Sequence, residues 1–261
     1  MDSVNKTLYI PLRGKAYVSH RKLLLSDPDA EAIWAAEGFP LTGKAASKWL
    51  SYSMGIRAAV FDRWLRQQLQ KMPDATVLHL GCGLDSRCRR VGSETNWYDV
   101  DFPQVIAERK RYFSESDSYR MIGCDLREDF LADLPTGGKA IVVMEGVSMY
   151  LTASERLALL ERLSGHFSEV RLLLDSYTVF AAKATRYKNP INSVGVTEVH
   201  GFDDPRELDT AHLTFFAEHD MNPEDLVRQL PQKDQGIFRL VYGGKLARKI
   251  CRLYEYRCKK A

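Results

Sequence analysis

The chain has few of the features that mark extracellular, membrane or nucleic-acid-binding proteins. Its five cysteines have neither the paired spacing of a disulfide framework nor the close repeats of a zinc site. No stretch approaches the roughly 20 apolar residues of a membrane span, and the first residues lack a basic and apolar signal segment. With 37 Lys and Arg against 34 Asp and Glu, the net charge of +3 gives no reason to expect a polyanionic partner. We therefore expect a cytoplasmic protein without metal, nucleic-acid or membrane ligands.

The pattern of apolar residues after residue 73 alternates between strand-like and helical spacing. The 261 residues, 45% of them hydrophobic, are enough for one α/β domain with additions. Strands are predicted near 76–81, 96–101, 119–124, 139–145, 169–175, 212–219 and 252–257. Helices are predicted near 86–91, 103–114, 152–166 and 238–249. The helix near 152–166 has the clearest start, because Thr152 and Glu155 form a capping box.

This alternation predicts an α/β fold with a doubly wound, mostly parallel seven-stranded sheet of the Rossmann-like type. One of the last two strands can run antiparallel. Residues 1–72 are predicted to form an N-terminal helical lid or brace, which ends where Pro73 stops the helical pattern. Residues 73–261 would form the core. Residues of about 179–211 lack sustained periodicity and are predicted to be an inserted cover over the substrate.

A glycine turn and an acidic strand end are the most informative features of the sequence. Gly81 and Gly83 follow the first predicted strand, and Asp101 ends the second, 20 positions (101 − 81) after Gly81. Glycines let the backbone turn tightly and approach a ligand, and a carboxylate placed here can accept both ribose hydroxyls. Asp99 is a deeper alternative for this role. A dinucleotide turn has a third glycine where this chain has Ser86, so S-adenosylmethionine is favoured over NAD.

Two further strand ends carry candidate ligands. Asp125 and Leu126 follow the third strand, where an acceptor and an apolar contact can meet an adenine, although a turn aspartate before a helix is nearly as good an interpretation. Glu145 ends a very apolar run. A charge at the end of a buried strand is costly without a partner, which makes Glu145 a candidate functional residue. Tyr150, in the loop that follows, either shapes a substrate pocket or packs before the next helix.

In these segments the chain resembles the leucine carboxyl methyltransferase superfamily, and within it the tetracenomycin-type polyketide O-methyltransferases. The family usually has threonine where Ser86 stands and arginine where Lys15 stands; the first change keeps a hydroxyl and the second a charge. After residue 179 the match is loose. The matching segments run in the family's order, at 7–16, 55–62, 80–87, 99–103 and 145–151.

The resemblance implies an S-adenosylmethionine-dependent O-methyltransferase. It implies that Arg57 and Lys15 hold the carboxylate of the cofactor and that Glu145 lies beside its methionyl part. The residues alone favour an ordinary exposed arginine on the helix surface for Arg57. The cofactor-binding residues predicted by all these arguments are Lys15, Arg57, Gly81, Gly83, Asp101, Asp125, Leu126 and Glu145.

The predicted acceptor is a carboxylate or hydroxyl of a small metabolite, such as a polyketide. Alignment of the two reactants can supply up to ~7–11 kcal/mol of barrier reduction, and a carboxylate with a pKa near ~4 needs no base. None of the six histidines lies in a matching segment, so no general base is assigned. The alternatives are a protein C-terminal carboxyl methyltransferase, an NAD-dependent dehydrogenase and a non-catalytic cofactor-binding protein. The sequence leaves the oligomeric state open.

Overall fold

The computed structural model of the chain describes residues 7–92, 95–185, 199–244 and 248–258. Three helices precede the sheet: α1 (Tyr9–His20), α2 (Pro28–Glu37) and α3 (Lys48–Lys71). The side chains of Asp27 and Ser47 accept hydrogen bonds from the first turns of α2 and α3, which fixes where these helices begin. Helix α1 packs against both α2 and α3. The helical character predicted for this part of the chain is therefore confirmed.

Seven strands form one sheet in the order β3-β2-β1-β4-β5-β7-β6. The five strands from β1 to β5 pair in parallel, whereas β7 is antiparallel to both β5 and β6. The strand order reverses between β1 and β4, so the sheet is doubly wound and the prediction is confirmed. The strands are β1 (Thr76–Leu80), β2 (Trp97–Asp101), β3 (Tyr119–Gly123), β4 (Lys139–Met144), β5 (Glu169–Tyr177), β6 (Leu213–His219) and β7 (Cys251–Cys258).

Helices cover both faces of this sheet. Along β1, Leu78 and Leu80 belong to the hydrophobic cluster that includes Leu159 of α6, whereas Val77 belongs to the cluster around Phe61 of α3. This alternation is the period of two expected of a strand with helices on both sides. The Thr152–Glu155 capping box at the start of α6 is present. The remaining helices are α4 (Arg87–Val91), α5 (Pro103–Arg109), α6 (Ala153–His166), α7 (Val179–Ala184), α8 (Glu224–Val227) and α9 (Gln232–Tyr242).

Two predicted helix boundaries are wrong. The helix predicted near 103–114 ends at Arg109, whose guanidinium turns inward and lies 4.2 Å from the ring centre of Phe113. The helix predicted through 238–249 begins at Gln232 and ends before Gly243. A Cβ at Gly243 would lie 2.5 Å from the carbonyl oxygen of Arg239, so the chain leaves the helix at a position that favours glycine. Residues 245–247 of that prediction lie outside the described part of the chain.

The segment predicted to be a cover contains α7 and a short 3-10 turn at Pro205–Leu208. Gly201 pairs with Tyr177 of β5, where a Cβ on Gly201 would lie 2.3 Å from the Thr178 carbonyl oxygen. Residues 186–198 of this prediction lie outside the described residues. Among the helices of the described ranges, none combines the length and the apolar character that crossing a membrane requires.

Candidate active site

A cavity of about 770 Å³ lies at the carboxyl ends of β1, β2, β4 and β5. This is the edge at which open α/β sheets bind ligands, and the volume is within the range of small-molecule sites. Residues of α1 and α3 line the cavity, together with residues from α7, α9 and the start of β7. The cavity brings together all nine predicted site residues: Lys15, Arg57, Gly81, Gly83, Asp101, Asp125, Leu126, Glu145 and Tyr150.

The turn after β1 requires glycine at its first position. Gly81 has a φ of +67°, and a Cβ there would lie 2.2 Å from a methyl carbon of Val147. The N–H of Gly81 donates to the Val100 carbonyl oxygen at 2.7 Å, which ties the turn to β2. Cys82 is buried inside this turn, and burial raises the pKa of its thiol well above the ordinary value. The thiol is therefore protonated and acts as a space-filling group rather than a nucleophile.

Asp101 is a partly buried carboxylate that is held by backbone donors. Its two oxygens accept hydrogen bonds from the N–H groups of Gly83 and Phe102, both at 2.8 Å. Burial raises the pKa of Asp101 to about 6, even though these two hydrogen bonds lower it. It forms no ion pair with a lysine, arginine or histidine among the residues that the structure describes. The cavity thus contains an acceptor whose charge is only partly compensated.

The alternative prediction, that Asp99 rather than Asp101 binds the ribose, is wrong. Both oxygens of the Asp99 carboxylate are already bound inside the protein. Arg109 pairs with one oxygen, which also accepts from the Tyr119 hydroxyl at 2.5 Å. His79 and the Trp97 indole contact the other oxygen at 3.2 and 2.8 Å. Burial alone would raise the pKa of Asp99, but Arg109 and the hydrogen bonds lower it to about 2. This carboxylate is a structural anion.

Arg57 lies between two carboxylates. Its Nε donates to Glu145 at 3.0 Å, and its Nη1 donates to Asp175 at 2.9 Å. Asp175 also accepts from the Gly146 N–H at 2.6 Å, so one carboxylate positions both the guanidinium and the turn after β4. A Cβ at Gly146 would lie 3.3 Å from Nη2 of Arg57. Of the five N–H donors of the guanidinium, the described hydrogen bonds use two, and Arg57 lines the cavity.

Glu145 has a second cationic partner, Arg87 of α4, which is itself fully buried. Burial raises the pKa of Glu145, but Arg87 and Arg57 outweigh it and lower the pKa to about 2. Asp175 and Arg87 were missed by sequence reasoning. Asp175 follows three leucines in β5, which is the same signal of a charge at a buried strand end that singled out Glu145. No comparable signal marks Arg87.

The ion pairs extend from Glu145 into a buried charge network. Lys15 pairs with Asp85 at 3.2 Å, and Arg87 pairs with Asp62 at 2.8 Å. Arg90 also bonds Asp62, at 2.6 Å. Ser86, at the position of the missing third glycine, donates to Asp27 at 2.5 Å and so braces this network rather than the cavity. The network comprises Lys15, Asp27, Arg57, Asp62, Asp85, Arg87, Arg90, Glu145 and Asp175.

Asp125 and Leu126 lie where β3 ends, at the opposite end of the cavity from Arg57. The Asp125 carboxylate accepts from the Arg127 backbone N–H at 3.0 Å and from its guanidinium at 2.5 Å. This arginine lowers the pKa of Asp125. Leu126 is buried and offers an apolar wall beside Phe102 and Val105. The pair provides an acceptor next to a hydrophobic surface.

The other half of the cavity is uncharged. From residue 147 onward, the described lining residues include no aspartate, glutamate, histidine, lysine or arginine. Three phenols, those of Tyr150, Tyr177 and Tyr242, lie there, and burial raises the pKa of all three hydroxyls. Cys251 is the register partner of Tyr177 and therefore shares its face of the sheet, and burial raises the pKa of this thiol as well. These groups can donate hydrogen bonds, but none is suited to remove a proton.

The comparisons with known proteins agree with this fold. The leucine carboxyl methyltransferase family model matches residues 12–164, and the chain belongs to this family. It is 32% identical over 215 residues to the tetracenomycin polyketide synthesis O-methyltransferase TcmP of Streptomyces glaucescens, covering 80% of this chain and 79% of that protein. It is also 32% identical over 184 residues to the S-adenosyl-L-methionine-dependent methyltransferase dpfgK of Gibberella zeae, covering 64% and 62%.

Solved structures share the fold at low sequence identity. The magnesium protoporphyrin IX methyltransferase of Synechocystis PCC 6803 with bound SAH superposes with a TM-score of 0.51 at 12% identity, covering 89% of this chain and 94% of that one. An S-adenosylmethionine dependent methyltransferase from Mesorhizobium loti gives 0.53 at 12% identity, covering 75% and 96%. The chain is an S-adenosylmethionine-dependent methyltransferase, as predicted, rather than a dehydrogenase or a non-catalytic protein.

Proposed function

We propose that the chain transfers the methyl group of S-adenosylmethionine to a carboxylate or acidic hydroxyl of a small, polyketide-like metabolite in the cytoplasm. The observation that carries this proposal is the lining of one cavity, which is charged in the half contributed by residues up to Glu145 and uncharged, with three phenols, in the half contributed by the described residues from 147 onward. The likeness to a polyketide O-methyltransferase supports the acceptor class. We assign no nucleic-acid or membrane partner.

The residues of the charged half fit the cofactor. We assign the ribose hydroxyls to Asp101, because it is a partly buried acceptor that lines the cavity and has no cationic partner in the described ranges. Gly81 and Gly83 would allow the backbone to approach the adenosine. Asp125 and Leu126 would hold the adenine, through the carboxylate and the apolar wall respectively.

The methionyl end of the cofactor would lie against Arg57. The remaining N–H donors of its guanidinium suit a carboxylate, with Lys15 as a further cation in the cavity lining. Glu145 is ionised and would accept from the ammonium group. Because Glu145 and Asp175 hold Arg57 on two sides, the guanidinium needs little reordering to bind.

When bound, S-adenosylmethionine supplies an electrophilic methyl group on a sulfonium. The residues of the chain would contribute alignment and the exclusion of water. An acceptor carboxylate is already ionised at neutral pH, which suits a cavity half without a general base. Tyr150 and Tyr177 retain their protons and would donate to the acceptor group.

We also propose that residues 1–72 act as a lid and residues 179–211 as a cover on the core of residues 73–261. Leu8, Pro11 and Leu12 line the cavity from α1 and the residues before it, and Met54 lines it from α3. From the cover, Ala181 and Thr185 are among the lining residues, together with Phe180. The acceptor half would thus be closed by both segments.

Methyl transfer itself tests the proposal. The purified protein is incubated with methyl-labelled S-adenosylmethionine and a panel of aromatic carboxylic acids and phenols. We expect a labelled small-molecule product, released by alkali if it is an ester and stable if it is an ether. Label found only on protein C-termini in a lysate would instead support the protein carboxyl methyltransferase alternative, and no label in any acceptor would contradict both.

A further inference from the structure

We propose that the acceptor has an extended, uncharged apolar body, and that Phe180, Val241 and Ile250 bind this body at the mouth of the cavity. The inference rests on the proposed function, since it concerns the acceptor of that same site. The apolar body is the part of the acceptor that lies away from the methylated oxygen, and these three side chains would select it.

Exposed hydrophobic side chains concentrate at the cavity mouth. Six large hydrophobic residues are exposed in the described part of the chain, and three of them line the cavity: Phe180 at 65%, Val241 at 44% and Ile250 at 43%. They come from three separate places, α7, α9 and the residue before β7. Scattered exposed hydrophobics are ordinary, but a group that continues a binding cavity marks a surface that a ligand covers.

Hydrogen bonds hold this mouth in place. The Thr178 N–H donates to the Ile250 carbonyl oxygen at 3.1 Å, and its hydroxyl donates to the Lys249 carbonyl oxygen at 2.6 Å. The same hydroxyl accepts from the Ala181 N–H at 3.0 Å, which begins the helix that carries Phe180. One threonine therefore joins the Phe180 helix to the Ile250 segment, and the distance between the two side chains is set by the fold.

Val241 is fixed by the end of α9. The Asn222 side chain donates to the Tyr242 carbonyl oxygen at 2.8 Å, and the Tyr242 ring stacks on buried Phe238 with centroids 5.2 Å apart. Val241 therefore faces the mouth from a helix end that is anchored by its neighbour. A surface built in this way is preorganised for an apolar ligand and loses little entropy on binding.

The chemistry of the wall favours an apolar small molecule over a peptide. A bound peptide brings N–H and C=O groups that need partners, and leaving them unpaired is costly. The described wall from residue 147 onward has no charged side chain, and the Asn222 amide already bonds the backbone. Apart from that amide, the polar side-chain groups of the wall are the phenols of its three tyrosines, the Thr185 hydroxyl and the Cys251 thiol, which are too few to pair with a chain of amides.

The test measures how affinity grows with the apolar body. Benzoic, 2-naphthoic and 2-anthracenecarboxylic acids are titrated by calorimetry into the protein saturated with S-adenosylhomocysteine. All three have the same acid group, so differences in Kd report the added rings. We expect the Kd to fall by about tenfold or more from benzoic to anthracenecarboxylic acid, and the Phe180→Ser/Val241→Ser variant to lose most of that gain.

The matched controls are Leu240→Ser and Phe216→Ser. Both residues are exposed, at 78% and 54%, but neither lines the cavity, and Leu240 is the neighbour of Val241. We expect both to bind the three acids as the wild type does. Equal losses in the controls, an unchanged affinity in the double variant, or no measurable binding of anthracenecarboxylic acid would each overturn the inference. Binding without methyl transfer would instead count against the proposed function alone.

Discussion

At the scale of single residues, Asp101 illustrates how the protein prepares a carboxylate for a ligand. Asp99 and Asp101 stand two positions apart on β2, yet their environments are opposite. Asp99 is compensated by Arg109, whereas Asp101 has backbone donors only in the described contacts. The sequence placed both at the same strand end and could not distinguish their partners, because Arg109 meets Asp99 only after α5 packs on β3.

The pH dependence of cofactor binding should report Asp101. Its pKa of about 6 means that the carboxylate is protonated below that pH and loses an acceptor for the ribose. We expect the affinity for S-adenosylhomocysteine, measured by calorimetry from pH 5 to 8, to fall below pH 6 by at most about tenfold per pH unit. The Asp101→Asn variant should not show this fall in affinity below pH 6. A wild-type affinity independent of pH across this range would contradict the assignment.

The same raised pKa has a consequence for folding of the free protein. Because the folded state holds its proton more tightly than the unfolded state, the contribution of Asp101 to stability decreases as the pH rises from 3.8 to about 6. Urea unfolding of wild type and Asp101→Asn should therefore give a difference in unfolding free energy that changes across this window and is constant above it. A constant difference throughout would show that burial does not shift this group.

At the scale of elements, the turn between β1 and α4 depends on Gly81. An alanine there combines a φ of +67° with a Cβ 2.2 Å from Val147. We expect Gly81→Ala to lower the free energy of unfolding by about 1–3 kcal/mol and to weaken cofactor binding. Gly138→Ala is the matched control, because a Cβ there meets nothing within 4 Å. Equal stability of the two variants in urea would contradict this account of the turn.

Helices and strands could be predicted where the local sequence pattern determines them. The apolar runs of the central strands and the Thr152 capping box are local signals, and both are present in the structure. The helix end at Arg109 was missed because it depends on a distant contact, whereas the end at Tyr242 has a local cause in Gly243 that the helical periodicity does not reveal. Arg109 turns inward to the anion on β2, and the residue after Tyr242 adopts an extended backbone that clears the helix.

At the scale of the whole molecule, the buried ion network joins helices α1, α3 and α4 to strands β4 and β5. Sequence reasoning treats arginine as a solvated residue, so Arg87 gave no sign of being fully buried among Asp62, Asp85 and Glu145. The candidate residues at the strand ends could be predicted from the sequence. The contacts that hold Arg57 could be identified only in the tertiary structure. The network links the stability of the fold to the geometry of the site.

Breaking this network should be far more costly than breaking a surface pair. Arg87→Met leaves buried carboxylates without their cation, and we expect it to lower the free energy of unfolding by about 3–5 kcal/mol. Arg89→Met is the control, since the Arg89 side chain is 49% exposed and pairs with Asp29 at the surface. Arg89→Met should lower the free energy of unfolding by less than about 1 kcal/mol. Similar urea midpoints for the two variants would argue against a structural role for the network.

The most direct measurement is a double-mutant cycle between the protein and its ligand. S-adenosylhomocysteine and its 2′-deoxy analogue are titrated into wild type and Asp101→Asn at pH 7.5. If the carboxylate accepts from the ribose hydroxyl, removing the hydroxyl should matter for wild type and little for the variant, with a coupling free energy of about 1.5–3 kcal/mol. If the analogue loses the same affinity on both proteins, Asp101 does not contact the ribose, and the placement of the cofactor along β1 and β2 is wrong.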